Sequence, residues 1–367
     1  MPMPLRIRIL GAGVSGLTAS ILLAADGHRV ELIDEYFAVP AVGTALALVP
    51  PAQSVLARLG VLERVRTISA APEVGTLRAA DGQVLATVPA GDALLTSRSE
   101  LVRILLDALP ASVTTSRRRV EDIRPLRAGA DLLIGADGVH SLVRRSGWPR
   151  RPSARSHGVT VLRGTTPLAP PEVSETWGRG WLFGITPLAG TGTNWFACLP
   201  EHRTGSRRED LAHLRRTVGG HRAEIDAVLE AAAPQRTLVH GIHTVGGIWP
   251  VRQNVVLLGD AAHAMAPNLG HGANTALQDA QSLVQAIREQ CGRSERRGEQ
   301  GRGIPPDAAS AVVSRSLRRY AARRVLPDQG WRLASEAMMR VAMTSSAAGW
   351  RDRVLSTTLG RIGQRAG

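Results

Sequence analysis

Apolar strands that run into glycine or aspartate, each followed by a helix, are indicated at three places along the chain. The first strand covers 5–10 and precedes a helix at about 14–25; the second covers 131–136 and the third 254–258. The third leads, after a glycine-rich loop, into a long helix at about 273–288. Because the first N–H groups of a helix have no partner inside it, this arrangement directs backbone donors toward a ligand. The pattern predicts an α/β fold of the Rossmann type.

The middle of the chain has a different pattern, with more Pro and Gly and with short apolar runs. These runs predict an antiparallel sheet inserted between the second and third units. A polar, glycine-rich stretch at 292–308 predicts a mobile loop, and helices follow it. The predicted division of the chain is 1–150, 151–250, 251–290 and 291–367. The other predicted elements are a hairpin at 74–88, a helix at 99–109, strands near 157–165, 173–178, 180–186 and 193–199, helices at 207–218 and 221–232, and a return strand at 236–244.

The sequence GAGVSG at 11–16 places three glycines between the first strand and its helix. Gly11 permits a tight turn, Gly13 lets the backbone approach a pyrophosphate, and Gly16 lets helix and strand pack closely. Asp34 ends the second strand about twenty residues later, where a carboxylate accepts hydrogen bonds from a ribose 2′-OH. The motif predicts dinucleotide binding, and by itself it leaves both FAD and NAD open.

Two further motifs follow the later strands, DLLIGADGVHSLVRR at 131–145 and VVLLGDAAHAMAPNLGHGANTALQDA at 255–280. With GAGVSG, and in this order, they resemble the FAD-dependent group A aromatic hydroxylases, which have the para-hydroxybenzoate hydroxylase fold. The closest resemblance is to the salicylate-hydroxylase-like and epoxidase-like branch, and it covers roughly residues 5–324. It implies a Rossmann-type FAD-binding domain with an inserted antiparallel-sheet substrate domain and C-terminal helices.

The resemblance also implies which residues bind the cofactor. Asp137, Gly138 and Arg144 match a motif that contacts FAD in the family and helps NAD(P)H to bind. Asp260 matches the carboxylate that holds the ribityl chain, and Arg98 matches an arginine that reaches the FAD. The full predicted set is Gly11, Gly13, Gly16, Asp34, Arg98, Asp137, Gly138, Arg144, Gly259, Asp260, Pro267, Gly270, Gly272 and Asn274, with Pro267, Gly270 and Gly272 also supporting the flavin ring.

Three departures from the family pattern stand out. Asp34 occupies a position where Glu is commoner, and His271 replaces a usual Gln beside the flavin loop. The segment between 110 and 131 is shorter than the strand meander of the family. This shortening affects how the adenosine end of FAD is covered.

The activity that the resemblance implies is monooxygenation. NADPH or NADH reduces a non-covalently bound FAD, O2 reacts at flavin C4a, and the hydroperoxide hydroxylates or epoxidises a small apolar or aromatic metabolite. Two alternatives stay open. One is an FAD-dependent reductase or dehydrogenase that inserts no oxygen, and the other is a flavin-binding protein without turnover.

Candidate substrate residues lie on the inserted sheet. Trp181, Phe183 and Trp195 alternate on its strands and are candidates for lining an apolar pocket, with packing inside the sheet as the equal alternative. Arg163 faces either substrate or solvent. The two histidines of the return strand are favoured as core or wall residues over proton transfer, so no catalytic acid or base is assigned.

Composition narrows the function further. The net charge is +14, and all 45 basic residues are arginine. Without lysine, a Walker phosphate lysine and Schiff-base chemistry are excluded. The arginines occur as scattered pairs with almost no aromatic residues between them, so nucleic-acid binding is not favoured.

The expected setting is a reduced cytoplasm. The two cysteines, Cys198 and Cys291, form no CxxC pair, which favours packed thiols over a disulfide or a metal site. No apolar run approaches the roughly 18 residues of a spanning helix. The expected partners are therefore a small-molecule substrate and O2, with no metal, no nucleic acid and no integral membrane segment.

Overall fold

The structure, a computed structural model, describes residues 4–39, 44–149, 154–168, 172–190, 192–202, 205–299 and 308–358. The first part contains β1 (Arg6–Leu10), α1 (Val14–Ala25), β2 (Arg29–Asp34), β3 (Ala45–Leu48), α2 (Pro50–Arg58), α3 (Leu62–Thr67), β4 (Val74–Ala79), β5 (Val84–Pro89), β6 (Leu94–Ser97), α4 (Arg98–Asp107), β7 (Thr114–Arg117), α5 (Arg124–Ala128), β8 (Leu132–Gly135) and α6 (Leu142–Gly147). The second part contains β9 (Arg155–Thr166), β10 (Val173–Trp177), β11 (Leu182–Leu188), β12 (Gly192–Pro200), α7 (Arg207–Val218), α8 (Ala223–Ala231), β13 (Thr237–Thr244), β14 (Val251–Arg252), β15 (Val255–Leu257), α9 (Asp260–His263), α10 (Gly272–Glu299), α11 (Ala308–Ala342) and α12 (Ala348–Thr358).

A six-stranded sheet carries the three strand–turn–helix units. Its order is β14-β15-β8-β1-β2-β7, so the strands of the three units, β15, β8 and β1, are neighbours. β1 pairs in parallel with β2 and β8, which places Ile7 beside Val30 and Leu132, and β8 pairs in parallel with β15. Parallel neighbours end at the same edge of a sheet, so the three turns meet there. The predicted α/β class is confirmed.

Both faces of this sheet are buried, which explains the apolar runs of its strands. Ile7 and Leu132 belong to a core with the apolar residues of α1, α4 and α10. Leu133 and Leu257 belong to a core on the opposite side, with Val143 of α6. Successive residues of a strand point to opposite faces, so a run of apolar residues supplies both cores.

A second, seven-stranded sheet has the order β13-β9-β12-β11-β10-β4-β5. β9, β10, β11, β12 and β13 form the predicted antiparallel sheet of the middle block. One face packs against apolar residues of α7 and α8. The other face packs against α11 and against Ala266, a residue of the loop before α10.

The hairpin formed by β4 and β5 lies in this second sheet. β4 pairs in parallel with β10, with Gly75 opposite Val173. The predicted block 1–150 therefore contributes two strands to the sheet of the middle block, which corrects the expected assignment of this hairpin. The pairing joins segments about one hundred residues apart, and neither segment carries a local signal for the other.

The predicted loop at 292–308 is another correction. α10 continues to Glu299, so residues 292–299 are helical, and residues 300–307 lie outside the described part of the chain. Arg and Glu are favourable helix residues, and extending a helix that is already packed costs less than starting one. The polar composition of 292–299 is thus compatible with a helix.

The C-terminal helix α11 is docked on the first domain. Val312, Leu317 and Tyr320 lie in the same core as Ile7. The hydroxyl of Tyr320 donates a hydrogen bond to the carbonyl of Leu257 at 3.2 Å. α11 therefore forms part of the core around the six-stranded sheet. Among the described helices, none has both the length and the apolar character that crossing a bilayer requires.

Candidate active site

A cavity of about 570 Å³ lies between the two sheets. The turns of the six-stranded sheet contribute Gly13, Gly138 and Asp260 to its wall, and the seven-stranded sheet contributes Arg163 and His240. The loop before α10 closes a third side. The cavity thus brings all three sequence motifs together with the inserted sheet.

The turn between β1 and α1 is packed too tightly for any residue except glycine at two positions. Gly11 has φ +107°, and a Cβ there would lie 2.3 Å from the carbonyl oxygen of Ala136. A Cβ at Gly16 would lie 1.9 Å from the carbonyl oxygen of Gly11. A Cβ at Gly13 would meet no atom within 4 Å, and Gly13 borders the cavity. Gly11 and Gly16 therefore shape the turn, whereas Gly13 leaves space for a ligand.

Asp34 lies beside this turn, and its carboxylate is bonded to backbone N–H groups. Oδ2 accepts from Ala12 at 2.8 Å, and Oδ1 accepts from Tyr36 at 2.8 Å and Phe37 at 3.1 Å. A carboxylate offers about four acceptor positions. Asp34 therefore holds the turn in place while retaining acceptor capacity.

The second motif is stabilised by hydrogen bonds among its own residues. The carboxylate of Asp137 accepts hydrogen bonds from the N–H groups of Leu142 at 2.7 Å and Val143 at 3.1 Å, and from the Ser141 hydroxyl. Burial raises the pKa of Asp137, although these donors oppose the shift. Gly138, with φ +76°, borders the cavity.

Arg144 does not border the cavity. Its buried guanidinium donates to the carbonyl of Ala261 at 2.8 Å and to that of Val139 at 2.5 Å. Arg144 therefore links the second motif to the third. Its expected contact with the cofactor stays a prediction.

The third motif places a carboxylate at the cavity wall. Gly259 has φ +54°, and the chain then enters the short helix α9 at Asp260, which borders the cavity. The N–H of Gly259 donates to Oδ2 of Asp279 at 2.9 Å. The motif thus fixes its own backbone through a residue of α10 and leaves Asp260 facing the cavity.

The loop before α10 borders the cavity through Pro267, Gly270 and Gly272. Asn274 lies behind it and is fully buried. Its side chain accepts from the N–H of Val49 at 3.0 Å and donates to the carbonyls of Ala47 at 2.7 Å and Gly270 at 3.0 Å. Asn274 therefore joins the loop to β3.

His271, in the same loop, is stacked on Trp331 of α11, with ring centroids 3.6 Å apart. Its Nδ1 lies 2.7 Å from the carbonyl oxygen of Leu269. The residue that departs from the family pattern thus connects the loop to the C-terminal helix.

On the inserted sheet, Arg163 borders the cavity, as do Arg98 at the start of α4 and His240. The Nε of Arg163 is buried and has no hydrogen-bond partner among the described residues. Burial lowers the pKa of Arg163 to about 10, so the guanidinium is charged at neutral pH. Burial also lowers the pKa of His240, which favours its neutral form.

Trp181, Phe183 and Trp195 do not border the cavity. They lie in the core between the sheet and the helices α7 and α8, with Leu214 and Ile225. Phe183 and Trp195 are stacked, with centroids 5.9 Å apart. This corrects their assignment as substrate residues. Alternate residues of a strand point to opposite faces, and these three point away from the face that carries Arg163.

Comparison with known proteins decides the family. A family model described as "FAD binding domain" matches residues 106–295. The chain is 32% identical to 3-amino-4-hydroxybenzoate 2-monooxygenase of Streptomyces cremeus, over 94% of this chain and 94% of that protein. The chain belongs to the FAD-dependent aromatic hydroxylases.

One further relative and one solved structure agree with this family assignment. The hydroxylase is 29% identical to Aurachin C monooxygenase/isomerase of Stigmatella aurantiaca, over 77% of this chain and 80% of that protein. Its fold is shared with Klebsiella pneumoniae HpxO, solved in complex with FAD and uric acid, at a TM-score of 0.79 and 24% identity, over 97% of this chain and 94% of that one. The chain is therefore a flavoprotein oxidoreductase of the monooxygenase type.

The cavity wall of the hydroxylase suits FAD. Open backbone at Gly13 suits phosphate, the carboxylate of Asp260 suits sugar hydroxyls, and the start of α10 at Gly272 presents unpaired N–H groups. Of the predicted cofactor residues, these border the cavity together with Arg98, Gly138, Pro267 and Gly270.

A buried charged cluster beneath the third motif was not predicted from the sequence. The Nε2 of His263 lies 2.6 Å from Oδ2 of Asp279, whose Oδ1 accepts from Arg324 at 2.8 Å. Arg324 also donates to Asp328. Ligand-type atoms of the histidine and both aspartates lie within 4.8 Å of one another, and the guanidinium of Arg324 is bonded to both carboxylates.

The charged groups in this cluster shift the pKa values of one another. Burial alone would lower the pKa of His263, but the carboxylate of Asp279 outweighs it and raises the pKa to about 9. Burial raises the pKa of Asp328, and the charge of Asp279 raises it further. The available sequence signal was Asp279 itself, an acid at an inward position between Leu277 and Ala280 of an apolar helix face.

Proposed function

We propose that this hydroxylase is an NAD(P)H-consuming monooxygenase whose small aromatic substrate occupies the cavity. One observation carries the proposal: a single cavity is bordered by the three turns of the FAD motifs and by strands β9 and β13. Bound FAD supplies reduction by NADPH or NADH followed by activation of O2. In the overall reaction one oxygen atom enters the substrate, the other leaves as water, and the nicotinamide is oxidised.

The residues of the first turn hold the nucleotide half of the cofactor in this proposal. The N–H groups at the start of α1, beside Gly13, bind the pyrophosphate. Gly11 and Gly16 let the helix approach the strand closely enough for this contact. Asp34 binds the adenosine ribose with the acceptor capacity that its three backbone bonds leave free.

The flavin half lies along the wall formed by Asp260 and by the loop before α10. Asp260 accepts hydrogen bonds from ribityl hydroxyls, and Arg98 donates to the cofactor from the start of α4. Pro267, Gly270 and Gly272 shape the surface that contacts the ring. The N-terminal N–H groups of α10 stabilise negative charge on the reduced cofactor.

Several residues act by holding this wall in position. Asp137 fixes the start of α6, Arg144 joins the second motif to Ala261, and Asn274 joins the flavin loop to β3. Gly138 and Gly259 supply the positive φ that the two turns require. Their effect on the reaction is indirect, because placement of reacting groups sets much of an enzyme's rate.

The substrate lies between the flavin wall and the inserted sheet. Arg163, His240 and Ile242 border the cavity from that side, and Leu46 borders it from β3. A mixed wall of this kind excludes bulk water while fixing orientation with a few polar groups. The relative from Streptomyces cremeus is a monooxygenase of an aminohydroxybenzoate, which supports an electron-rich aromatic ring as the substrate.

Residues 151–250, joined by the β4–β5 hairpin, form the substrate part, and 1–150 with 251–290 form the FAD-binding part. Of the helices in 291–367, α11 completes the latter, whereas α12 contacts the substrate part through Arg351. We propose that the protein acts in the cytoplasm, because Cys198 and Cys291 are both buried and lie in separate cores, as expected of packed thiols.

The test is a substrate screen with the purified, FAD-loaded protein. A true substrate should accelerate NAD(P)H oxidation, consume O2, and appear as product carrying one atom from labelled O2. Reduced nicotinamide that is oxidised with a converted substrate but without labelled oxygen in the product would instead establish a reductase or dehydrogenase.

A further inference from the structure

The outer side of α11 exposes apolar residues to solvent. The side chains of Leu326 and Leu333 are among the most accessible, with 80% and 56% of each residue exposed. Between 322 and 341 one exposed residue is charged, Arg340. The other exposed residues of this stretch, which we call the α11 surface, are Ala322, Leu326, Pro327, Gly330, Trp331, Leu333, Ala334, Ala337, Met338 and Val341.

Helical spacing places these residues on one side of α11. Residues three, four or seven positions apart lie on the same side of a helix, and Leu326 and Leu333 are separated by seven positions. The acidic residues of the stretch lie on the opposite side and are buried: Asp328 accepts from Arg324, and Glu336 accepts from Arg332. The α11 surface therefore carries no negative charge.

A helix on the outside of a globular protein normally presents its polar side to water. Here the polar side is packed against the protein and the apolar side faces solvent, an arrangement that marks an interaction surface when the exposed apolar residues are contiguous. Gly330, Ala334 and Ala337 add no bulk between the leucines. The α11 surface is therefore suited to contact with an extended apolar partner.

The charge at the edge of this surface indicates which partner it is. Arg332 and Arg340 lie 2.5 and 3.9 Å from the carboxylate of Glu336, so two arginines share one acid and one positive charge is left over. The whole chain carries a net charge of +14. A second copy would bring the same positive charge to the contact, whereas a bilayer with anionic lipids offers negative headgroups above an apolar interior.

Two tryptophans lie where such a bilayer would be contacted. Trp331 is 40% exposed and Trp350 is 64% exposed, and tryptophan rings are favoured at the boundary between headgroups and acyl chains. Trp350 begins the chain segment of α12 beside the end of α11, because its neighbour Arg351 donates to the carbonyl of Ala342 at 2.7 Å. Trp331 stacks on His271, a residue of the loop before α10. The surface therefore lies beside the loop that borders the cavity.

We infer that the α11 surface, together with Trp350, binds the surface of a bilayer that contains anionic lipid. The helix lies along the headgroups with its inner side still packed on the protein, and no segment crosses the membrane. This goes beyond the proposed function, since it concerns where the protein acts and not what reaction it performs. An apolar compound dissolved in the bilayer would then be close to the loop before α10.

The experiment measures binding of the FAD-loaded protein to lipid vesicles by flotation through a sucrose gradient. One set of vesicles contains equal parts of phosphatidylcholine and phosphatidylglycerol, and the other contains phosphatidylcholine alone. The wild-type protein should float with the anionic vesicles and bind the neutral ones at least about fivefold more weakly, because each arginine near an anionic surface contributes to binding.

A pair of matched variants separates the α11 surface from the general positive charge of the protein. Leu326→Gln combined with Leu333→Gln removes apolar side chains from the surface and should weaken binding to anionic vesicles about tenfold or more. Val84→Gln combined with Val88→Gln alters exposed apolar residues of β5 and should change binding by less than about twofold. Bound FAD and the unfolding temperature are measured for every variant, and each leucine is replaced singly if the double variant folds poorly.

Three results would overturn the inference. The wild-type protein could fail to float with anionic vesicles. The folded leucine variants could bind as the wild type does, in which case net charge alone causes binding. Sedimentation velocity could show a wild-type dimer that the leucine variants dissociate, in which case a second copy covers the surface. Oxygen transfer to a substrate in solution would leave each of these results unaffected, so the inference and the proposed function are tested separately.

Discussion

Asp260 reaches the cavity because the residue before it has a conformation that glycine adopts easily. Gly259 has φ +54°, and a Cβ there would approach Ser15 and Ala276 at 3.1–3.2 Å. The turn therefore delivers the carboxylate at the start of α9 with its backbone already held by Asp279. A single side chain supplies the negative end of the cavity.

Replacing Asp260 with Ala should weaken FAD binding. The loss of a charged acceptor facing sugar hydroxyls costs about 1–3 kcal/mol, so the dissociation constant should rise between about fivefold and about 160-fold. The measurement is FAD affinity by fluorescence titration of apoprotein. Asp107→Ala, which removes an exposed carboxylate paired with Arg64, is the control and should bind FAD normally. Unchanged affinity of Asp260→Ala would contradict the assignment.

His263 makes the stability of the protein depend on pH. Its pKa is raised from 6.5 to about 9 in the folded state. The stabilisation is complete below the unfolded value of 6.5 and is lost as pH rises through about 9. The free energy of unfolding should therefore fall between pH 6.5 and 9.5, by roughly 3 kcal/mol for a shift of this size.

Urea unfolding of the wild type and of His263→Gln at pH 6.5, 8 and 9.5 measures this effect. The variant should be less stable at pH 6.5, and the difference should shrink as pH rises. A difference that stays constant with pH would show that His263 acts through packing and not through its charge.

At the scale of residues, the sequence predicted the residues that border the cavity better than the residues that hold its wall in position. Gly13, Arg98 and Asp260 border the cavity and were recognised because motifs place such residues at fixed offsets from a strand and a helix. Arg144 was expected to touch the ligand, yet it bonds the backbone at Ala261. The motif identified the residue but not the partner, since Ala261 lies more than one hundred residues away.

Among the elements, the turn between β1 and α1 offers a test that separates folding from binding. Gly13 and Gly16 lie three residues apart: Gly13 directly precedes α1, and Gly16 lies in its first turn. A Cβ is accommodated at Gly13, whereas at Gly16 it would lie 1.9 Å from a carbonyl oxygen. The two positions therefore predict opposite outcomes for the same substitution.

Gly13→Ala should fold with nearly wild-type stability and bind FAD weakly, because the methyl group occupies the space left for phosphate. Gly16→Ala should lower the unfolding temperature markedly, because backbone must move apart. Thermal unfolding of both apoproteins and FAD titration of the folded ones provide the comparison. If Gly13→Ala binds FAD as the wild type does, the phosphates lie elsewhere.

The elements that the sequence predicted well are those that are determined by residues close together in the sequence. β1, α1 and β2 were recognised from periodicity and glycine spacing, and α7 begins and ends at the predicted residues. The membership of β4 in the second sheet could not be predicted, since its partner β10 is distant and the pairing is set by packing of the whole molecule. The same limit applied to Trp181, which directly precedes β11: the strand was predicted, but the packing of the Trp181 side chain against α7 and α8 was not.

The molecule as a whole depends on its C-terminal helices. α11 supplies Arg324 to the cluster around Asp279 and packs Leu317 and Tyr320 into the first core. α12 makes a different contribution: Arg351 donates to carbonyl groups of Ala342 and Gly178. The two helices therefore stabilise different regions.

A chain that ends at residue 299 lacks α11 and should not form a stable FAD-binding protein, because Asp279 loses Arg324 and apolar core is exposed. A chain that ends at residue 347 lacks α12 alone. It should fold, with a lower unfolding temperature, and retain FAD. Expression yield, circular dichroism and bound flavin compare the two. Full flavin content in the shorter chain would contradict the role given to α11.

The strand order of the first sheet also governs when the protein can fold as the ribosome makes it. β1 and β2 are synthesised first. The second neighbour of β1 in the sheet is β8, and the second neighbour of β8 is β15, and both are synthesised later. A nascent chain of 1–149 therefore carries an unpaired edge of apolar strand, which favours association with other chains. We expect that fragment to be insoluble when produced alone, and the full chain to refold slowly from urea in stopped-flow fluorescence, as pairing of distant strands requires. A soluble, cooperatively unfolding fragment would show that the first sheet closes without its last strands.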